Sequence, residues 1–161
     1  MQAGILDPLG LKDTFFAASE PVPGGMVEGY HRLEDELVNV SALNLSWAWT
    51  QGGLVSTAED LAQFAHALFD GRLLSPATLE DMLTFLPADE QGREWGMGVA
   101  RVQSSAGELI GTNGSGAGFV ARMYRLPTGD TVVLLTNTNL EDNTINDIFA
   151  EVVALTVAGA D

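Results

Sequence analysis

The chain has 161 residues, of which 22 are acidic and seven are basic, and its formal net charge is −15. Such a charge repels phosphate backbones and anionic lipids, so we expect neither nucleic acid nor a membrane as a partner. There is no cysteine, which excludes disulfides and thiolate metal sites. We also expect no transmembrane helix and no signal peptide, because neither type of apolar segment is present. The composition leaves the cellular compartment open.

The amino-terminal part of the chain predicts short elements. An apolar segment at residues 5–9 is broken by Pro8 and Gly10, and we interpret it as the end of a longer helix. Residues 17–55 predict loops with short strands at 29–32 and 36–40.

Two helices are predicted next. Ser56 and Glu59 form a capping box, and the apolar face of this helix recurs at helical spacing through Leu61, Phe64, Ala65 and Leu68. Ser75 and Pro76 are typical of the start of a second helix, whose apolar stripe extends to Leu86 before Pro87 stops it.

The pattern then changes to strands, predicted at 96–103, 108–112, 119–126 and 131–136. The last of these is apolar on both faces, which favours a central position covered on both sides. Asn143 caps a final helix. We therefore predict an α+β fold in one partial domain, residues 1–161. It has helices and loops in 1–94, and an antiparallel sheet with a packed carboxy-terminal helix in 95–161.

The familiar catalytic constellations are missing from the sequence. The only lysine, Lys12, precedes every serine, so no Ser-x-x-Lys pair exists, and no G-x-S-x-G elbow is present. We expect His31 to be structural and His66 to lie on the surface. Neighbouring carboxylates lie on solvated segments, and no ligand set has metal-binding spacing. We expect no metal, no cofactor and no catalytic nucleophile in these residues.

The most distinctive segment is GTNGSGAGF at residues 111–119. It lacks the lysine of a phosphate-binding loop and leads into a strand instead of a helix, so we do not expect phosphate binding. Two interpretations stay open on spacing alone. The segment is either a flexible turn, or an edge strand whose small residues let an extended ligand pair with its backbone.

Five segments carry a resemblance to known proteins. They are PLGLKDTFF at 8–16, SWAWTQGGLVSTAEDL at 46–61, WGMGV at 95–99, the glycine-rich segment at 111–119, and the strand ending at Thr136 and Asn137. The first is similar to the segment that follows the Y-x-N motif, and the second is similar to S-W-A…AG-x-x-S-T-x-x-D-L. The third is similar to Y-G-L-G, the fourth to G-H-T-G-x-x-x-G-[FY], and the fifth to L-x-N-x. These belong to class C β-lactamases and serine D-alanyl-D-alanine carboxypeptidases.

The resemblance implies the carboxy-terminal portion of a β-lactamase/DD-peptidase-like fold and an acyl-enzyme mechanism. The S-x-x-K and Y-x-N motifs of that mechanism are absent from these residues. Thr112, Asn113 and Gly114 fall on the K/H-T-G triplet and are the implied substrate-binding residues. Ser115 falls where a backbone N–H completes the oxyanion hole. Trp47 matches a tryptophan that lines the substrate cleft.

The triplet departs from the family pattern because Thr112 cannot carry the charge of a lysine or histidine. We therefore expect poor carboxypeptidase or β-lactamase activity. An esterase or amidase that acts on a neutral acyl group fits the sequence as well, and so does a degenerate family member. The leading hypothesis is part of a serine hydrolase, inactive alone, whose intact parent binds a small-molecule or peptide substrate. The alternative is a non-catalytic peptide or ligand-binding module. A hydrolase using acidic residues lacks a suitable pair.

A half-domain would expose a strand edge and an apolar helix face. We therefore expect a homodimer, or a complex with a chain carrying the missing amino-terminal half.

Overall fold

The computed structural model describes residues 1–17, 26–43, 48–116, 118–139 and 143–159. After a 3₁₀ helix at Gln2–Gly4, the first half contains α1 (Leu6–Leu9), β1 (Phe15–Phe16), β2 (Tyr30–Leu33), β3 (Glu36–Asn39), α2 (Trp49–Gly52), β4 (Leu54–Val55), α3 (Ala58–Phe69) and α4 (Pro76–Met82). The second half contains β5 (Glu94–Trp95), β6 (Ala100–Ser104), β7 (Gly107–Gly116), β8 (Phe119–Arg125), β9 (Thr131–Thr136), β10 (Thr138–Asn139) and α5 (Thr144–Ala158). The α+β fold predicted from the sequence is confirmed.

The largest sheet is antiparallel, with strand order β5-β6-β7-β8-β9. The helix α5 covers one face, where Tyr124 and Val132 cluster with Phe149 and Val153. The other face meets α3: Arg125 of β8 pairs with Asp70 at 2.7 Å, just beyond the end of α3. We call these two sides the α5 face and the α3 face. No helix in the described part of the chain is long and apolar enough to cross a membrane.

The prediction that residues 131–136 form a central strand is wrong for the sheet as described. The strand β9 has the expected bounds, but among the described residues it is the outermost strand and pairs only with β8. Its apolar residues are explained by the helices, because both α3 and α5 contact it. Burial on two faces therefore does not require neighbours at both edges.

Two smaller sheets are formed by strands of the first half and by β10. The strand β1 pairs with β4, and β10 pairs in parallel with β2, which forms a hairpin with β3. His31 on β2 exchanges a 2.8 Å hydrogen bond with Asn139 on β10. This bond joins the small hairpin to the chain that follows β9, which agrees with the structural role expected for His31.

The start of α3 differs by one residue from the predicted capping box. Thr57, not Ser56, is the cap, and its hydroxyl accepts the N–H of Asp60 at 3.2 Å. The Asp60 carboxylate does not turn back to the helix. It accepts the backbone N–H of Asp13 at 3.0 Å and the hydroxyl of Thr14 at 2.7 Å. Since Asp60 is only 7% exposed, it fixes the amino-terminal segment to α3.

The other predicted helix ends have mixed outcomes. Ser75 caps α4 as expected, and Pro76 is its first residue. The helix ends at Met82 and not near Pro87, and Leu86 is 66% exposed. Asn143 precedes α5, but its side chain makes no capping hydrogen bond.

We expect Asp60→Ala to lower the free energy of unfolding by about 2–3 kcal/mol, because the Asp13 N–H and the Thr14 hydroxyl lose a buried carboxylate acceptor. Urea unfolding measures the change. The matched control is Glu59→Ala in the same helical turn, where the side chain is exposed. Equal effects of the two substitutions would contradict the anchoring role of Asp60.

Candidate functional site

The sequence-predicted residues Thr112, Asn113, Gly114 and Ser115 all lie on β7. The strand β8 pairs with β7 along its whole length to Gly116. The strand β6 pairs only as far as Gly111, opposite Ala100. Among the described residues, nothing pairs with residues 112–116 on the side away from β8. We call this side of residues 112–116 the open edge, and it favours the edge-strand interpretation over a flexible turn.

A tight turn explains why β6 stops opposite Gly111. The N–H of Gly96 donates to the carbonyl of Val99 at 2.9 Å, and Gly98 has a φ of +78°. The N–H of Met97 donates to Met82 at 3.0 Å, which ties the turn to the end of α4. The chain therefore reaches β6 from the side and leaves the next residues of β7 without a neighbour.

Asp89 holds the segment before this turn. Its carboxylate accepts the Trp95 indole N–H at 2.9 Å and the Arg93 Nε at 3.0 Å. The indole hydrogen bond, followed by the backbone N–H of Arg93, lowers the pKa of Asp89 to about 2. The carboxylate is therefore charged at neutral pH and keeps Trp95 beside the start of β6.

Gly111 is required where the paired part of β7 ends. A Cβ at this position would overlap the carbonyl oxygen of Met123 and lie 2.7 Å from the Cα of Tyr124. By contrast, a Cβ on Gly114 or Gly116 would have nothing within 4 Å. The glycines of this segment thus serve different purposes: the first permits close strand packing, and the later two leave space along the open edge.

The candidate triplet is divided between the two faces of the sheet, because side chains alternate along a strand. Asn113 pairs with Arg122, whose guanidinium lies 5.7 Å from the Phe149 ring of α5. Asn113 and Ser115 therefore lie on the α5 face. Thr112 and Gly114 lie on the α3 face.

The backbone of the open edge also alternates. In an antiparallel ladder, successive residues hydrogen-bond to opposite neighbours. Ser104 pairs with Gly107 and Gly116 pairs with Phe119 at the two hairpin turns, and such closing pairs are hydrogen-bonded. Counting from either turn gives the same alternation along β7. Thr112, Gly114 and Gly116 are directed to β8, whereas the N–H and C=O groups of Asn113 and Ser115 are directed outward. A ligand lying on the open edge would meet these groups.

The hairpin β2–β3 packs against the turn between β7 and β8. Gly118, in the turn between β7 and β8, has a φ of +80°, and a Cβ there would lie 2.8 Å from the backbone N of Tyr30. A Cβ on Gly29 would in turn overlap the Phe119 ring. Glycines on both sides therefore let the hairpin pack against the tip of β7.

Four of the five predicted site residues are thus brought together on one strand. Trp47 lies outside the described residues. Asn113, Gly114 and Ser115 are exposed and Thr112 is half-buried, so all four are accessible. Their roles in substrate binding and in an oxyanion hole stay predictions.

Arg122 is the residue near this strand that sequence reasoning missed. It is half-buried, and its Nη2 donates to the Asn146 side chain on α5 at 2.5 Å. Its buried Nε has no hydrogen-bond partner. Counting back from the hairpin turn would have placed it opposite Asn113, so the signal was available in the sequence.

Residues 1–155 match the family model described as Beta-lactamase. The chain belongs to this family. The match agrees with the resemblance carried by the five sequence segments.

Solved structures support the same assignment. A D-amino acid amidase from Ochrobactrum anthropi SV3, complexed with L-phenylalanine, is 25% identical with a TM-score of 0.88, over 99% of this chain and 53% of that one. A D-stereospecific amidohydrolase from Streptomyces sp. is 26% identical with a TM-score of 0.77, over 84% of this chain and 42% of that one. A penicillin-binding protein from Bacillus halodurans is 24% identical with a TM-score of 0.78, over 96% and 47%, and shows the fold. The chain spans about half the length of these proteins.

Two proline substitutions test the backbone alternation on β7. We expect Gly114→Pro to destabilise the chain by about 1–3 kcal/mol more than Ser115→Pro, because only Gly114 donates into the ladder with β8. A proline whose missing N–H would face solvent is tolerated on an edge. Thermal unfolding measures both.

Gly114→Ala is the control for the side chain, since a Cβ there meets nothing within 4 Å. Equal destabilisation by the two prolines would mean that the Ser115 N–H is bonded to β8 and is not directed to the open edge.

Proposed function

We propose that this chain forms the carboxy-terminal wall of the acyl-transfer site of a serine hydrolase. The serine nucleophile, its lysine and the assisting tyrosine are supplied by a polypeptide segment outside these 161 residues. The observation that carries this proposal is the open edge of β7, formed by the residues that resemble the family's triplet, in a sequence with no Ser-x-x-Lys pair.

The open edge has the features needed to hold an extended substrate. Asn113 and Ser115 offer outward N–H and C=O groups, so a substrate backbone can add as a further strand. The Ser115 N–H then donates to the carbonyl oxygen that becomes negative when serine attacks. A preorganised donor of this kind is typically worth about 3 kcal/mol of transition-state stabilisation.

The substrate we propose is an amide or ester of a small acyl group. Two of the similar structures are named as a D-amino acid amidase and a D-stereospecific amidohydrolase. Residues 112–116 include two glycines whose Cα atoms face open space. Such a strand suits a short, close-lying acyl group better than one that needs a side-chain pocket in this wall.

A second candidate is a non-catalytic module that binds a peptide on the same open edge. The absence of Ser-x-x-Lys from the sequence favours it, because binding needs no nucleophile. The two candidates differ in whether another polypeptide completes the site.

We further propose that another polypeptide covers β9. Its outer edge has no partner among the described residues, yet it is the most apolar strand of the sheet. Leu135 is 38% exposed, and Leu155 on α5 is 66% exposed. Unpaired edges of this kind associate readily with other strands. The occupant that fits the serine-hydrolase proposal is the amino-terminal half carrying the nucleophile, with a second copy of this chain as its substitute.

Light scattering with intact mass spectrometry tests the association. We expect a dimer, or a complex with a chain that bears S-x-x-K. A soluble monomer of 17.0 kDa would contradict the proposed association and would favour the self-sufficient binding module.

Ligand binding and turnover test the site itself. When N-acetyl-D-alaninamide is titrated into the ¹⁵N-labelled chain, we expect the largest chemical-shift changes at the backbone amides of Asn113 and Ser115. Ser115→Pro should remove binding by deleting the outward donor, while Ser115→Ala retains it. The chain alone should hydrolyse neither nitrocefin nor p-nitrophenyl acetate above background.

Two results would overturn this assignment. Shifts that avoid residues 112–116 would remove the open edge as the binding site. Turnover by the chain alone, abolished by one substitution within it, would place the nucleophile in these residues.

A further inference from the structure

A second unpaired strand edge lies on the hairpin formed by β2 and β3, in a different sheet from the open edge. The strand order of this small sheet is β10-β2-β3. Among the described residues, nothing pairs with β3 on the side directed away from β2. We call this side of residues 36–39 the β3 edge. All four residues of β3 are exposed, so no part of the described chain covers either face of the strand.

The pairing within the hairpin determines which backbone groups reach the β3 edge. Leu33 pairs with Glu36 across a two-residue turn, and such closing pairs are hydrogen-bonded. At the other end of the hairpin, the Val40 N–H donates to the Gly29 carbonyl at 2.8 Å. Counting from either end gives the same alternation along the strand. The outward N–H and C=O groups are those of Leu37 and Asn39.

Apolar side chains accompany these free backbone groups. Leu33 is 54% exposed and Leu37 is 59% exposed, and Val38 is also exposed. Leu37 and Val38 are adjacent on one strand, so they lie on opposite faces of the hairpin. An extended segment that pairs with the β3 edge would therefore find apolar contacts on both of its faces. Backbone pairing combined with such side-chain contacts is the usual mode of strand addition.

The charge around the β3 edge indicates which kind of segment would pair with it. Three consecutive carboxylates, those of Glu34, Asp35 and Glu36, form the turn and the start of β3, and all three residues are exposed. Arg32 is the only arginine or lysine at residues 30–39. Its Nε donates to the backbone carbonyl of Glu34 at 3.4 Å, and it forms no ion pair within the described residues. The end of the hairpin therefore carries an excess of negative charge.

The same charge disfavours a second copy of this chain as the partner. Each copy has a net charge of −15 and would bring its own three carboxylates to the interface. Like charges on paired strands are destabilising, and a large net charge of one sign opposes association of identical chains. A segment with lysine or arginine side chains gains from the charge that a second copy would have to overcome.

We propose that the β3 edge binds an extended basic segment of another polypeptide. The segment adds as a fourth strand to the β10-β2-β3 sheet and exchanges backbone hydrogen bonds with Leu37 and Asn39. Its apolar side chains contact Leu37 and Val38, and its basic side chains lie beside Glu34 and Glu36. This interaction involves neither the open edge nor the hydrolase site, so it stands or falls independently of the proposed function.

Two matched peptides test the proposal by titration into the ¹⁵N-labelled chain. Acetyl-KVKVK-amide is basic, and acetyl-TVTVT-amide is its neutral match. We expect the largest chemical-shift changes at the backbone amides of Leu37 and Asn39. We also expect the basic peptide to bind about 5- to 30-fold more tightly, because several exposed ion pairs each add a small increment. Changes confined to Asn113 and Ser115 would mean that the peptide binds the open edge, and would overturn the assignment to β3.

Substitution of carboxylates tests whether the charge acts locally. The double variant Glu34→Gln, Glu36→Gln should remove most of the difference in affinity between the two peptides. The matched control is Glu80→Gln, Glu151→Gln, which removes the same charge from exposed positions on α4 and α5. We expect the control to leave the difference intact. An equal loss from both double variants would mean that only net charge matters, and the proposed site would be wrong.

A proline substitution tests the backbone pairing. Leu37→Pro deletes an outward N–H, which an edge strand tolerates, whereas Leu37→Ala keeps the donor and shortens the side chain. We expect only the proline variant to lose binding of both peptides, with thermal unfolding confirming that both variants fold. Undiminished binding to Leu37→Pro would contradict strand addition. If light scattering shows that Leu37→Pro converts a dimer of the unmodified chain into a monomer, a second copy occupies the β3 edge and the basic partner is wrong.

Discussion

Unequal pairing on the two sides of β7 is the constraint on which the candidate site depends. The strand is paired to Gly116 by β8 but only to Gly111 by β6. The first pairing makes residues 112–116 rigid, and the second leaves their outward backbone groups available. A strand free on both sides would be too mobile to preorganise a donor, and one paired on both sides would offer none. The turn at residues 96–99 and the missing side chain of Gly111 together create this difference.

The strand β9 shows that burial of a strand's faces and pairing of its edges are separate properties, which sequence patterns do not distinguish. Its apolar residues reflect cover by helices on both faces, whereas its edge is determined by which strand lies next to it. Hydrophobic periodicity reports only the first property. The same reasoning explains why an exposed edge coincides with the most apolar strand, a combination that natural proteins avoid in isolated chains.

Local signals predicted elements better than they predicted boundaries. The structure confirms the start of α4 at Ser75–Pro76, and it confirms the strands predicted at 119–126 and 131–136 to within one residue. These predictions succeeded because capping and turn residues act on positions close to them in sequence. The cap of α3 moved to Thr57 because Ser56 instead contacts Thr14 at 2.7 Å, a partner distant in sequence. The strand predicted at 96–103 begins only at Ala100, because the preceding residues form a turn that is hydrogen-bonded to Met82. The local sequence pattern does not predict a contact with a residue so distant in sequence.

The site was predictable as a strand and as a set of accessible residues, but not as an electrostatic arrangement. Thr112 and Arg122 are ten positions apart, and only the register of the β7–β8 hairpin places Arg122 against the neighbouring Asn113. Because adjacent residues alternate between faces, Asn113 and Arg122 share the α5 face, whereas Thr112 and its partner Met123 lie on the α3 face.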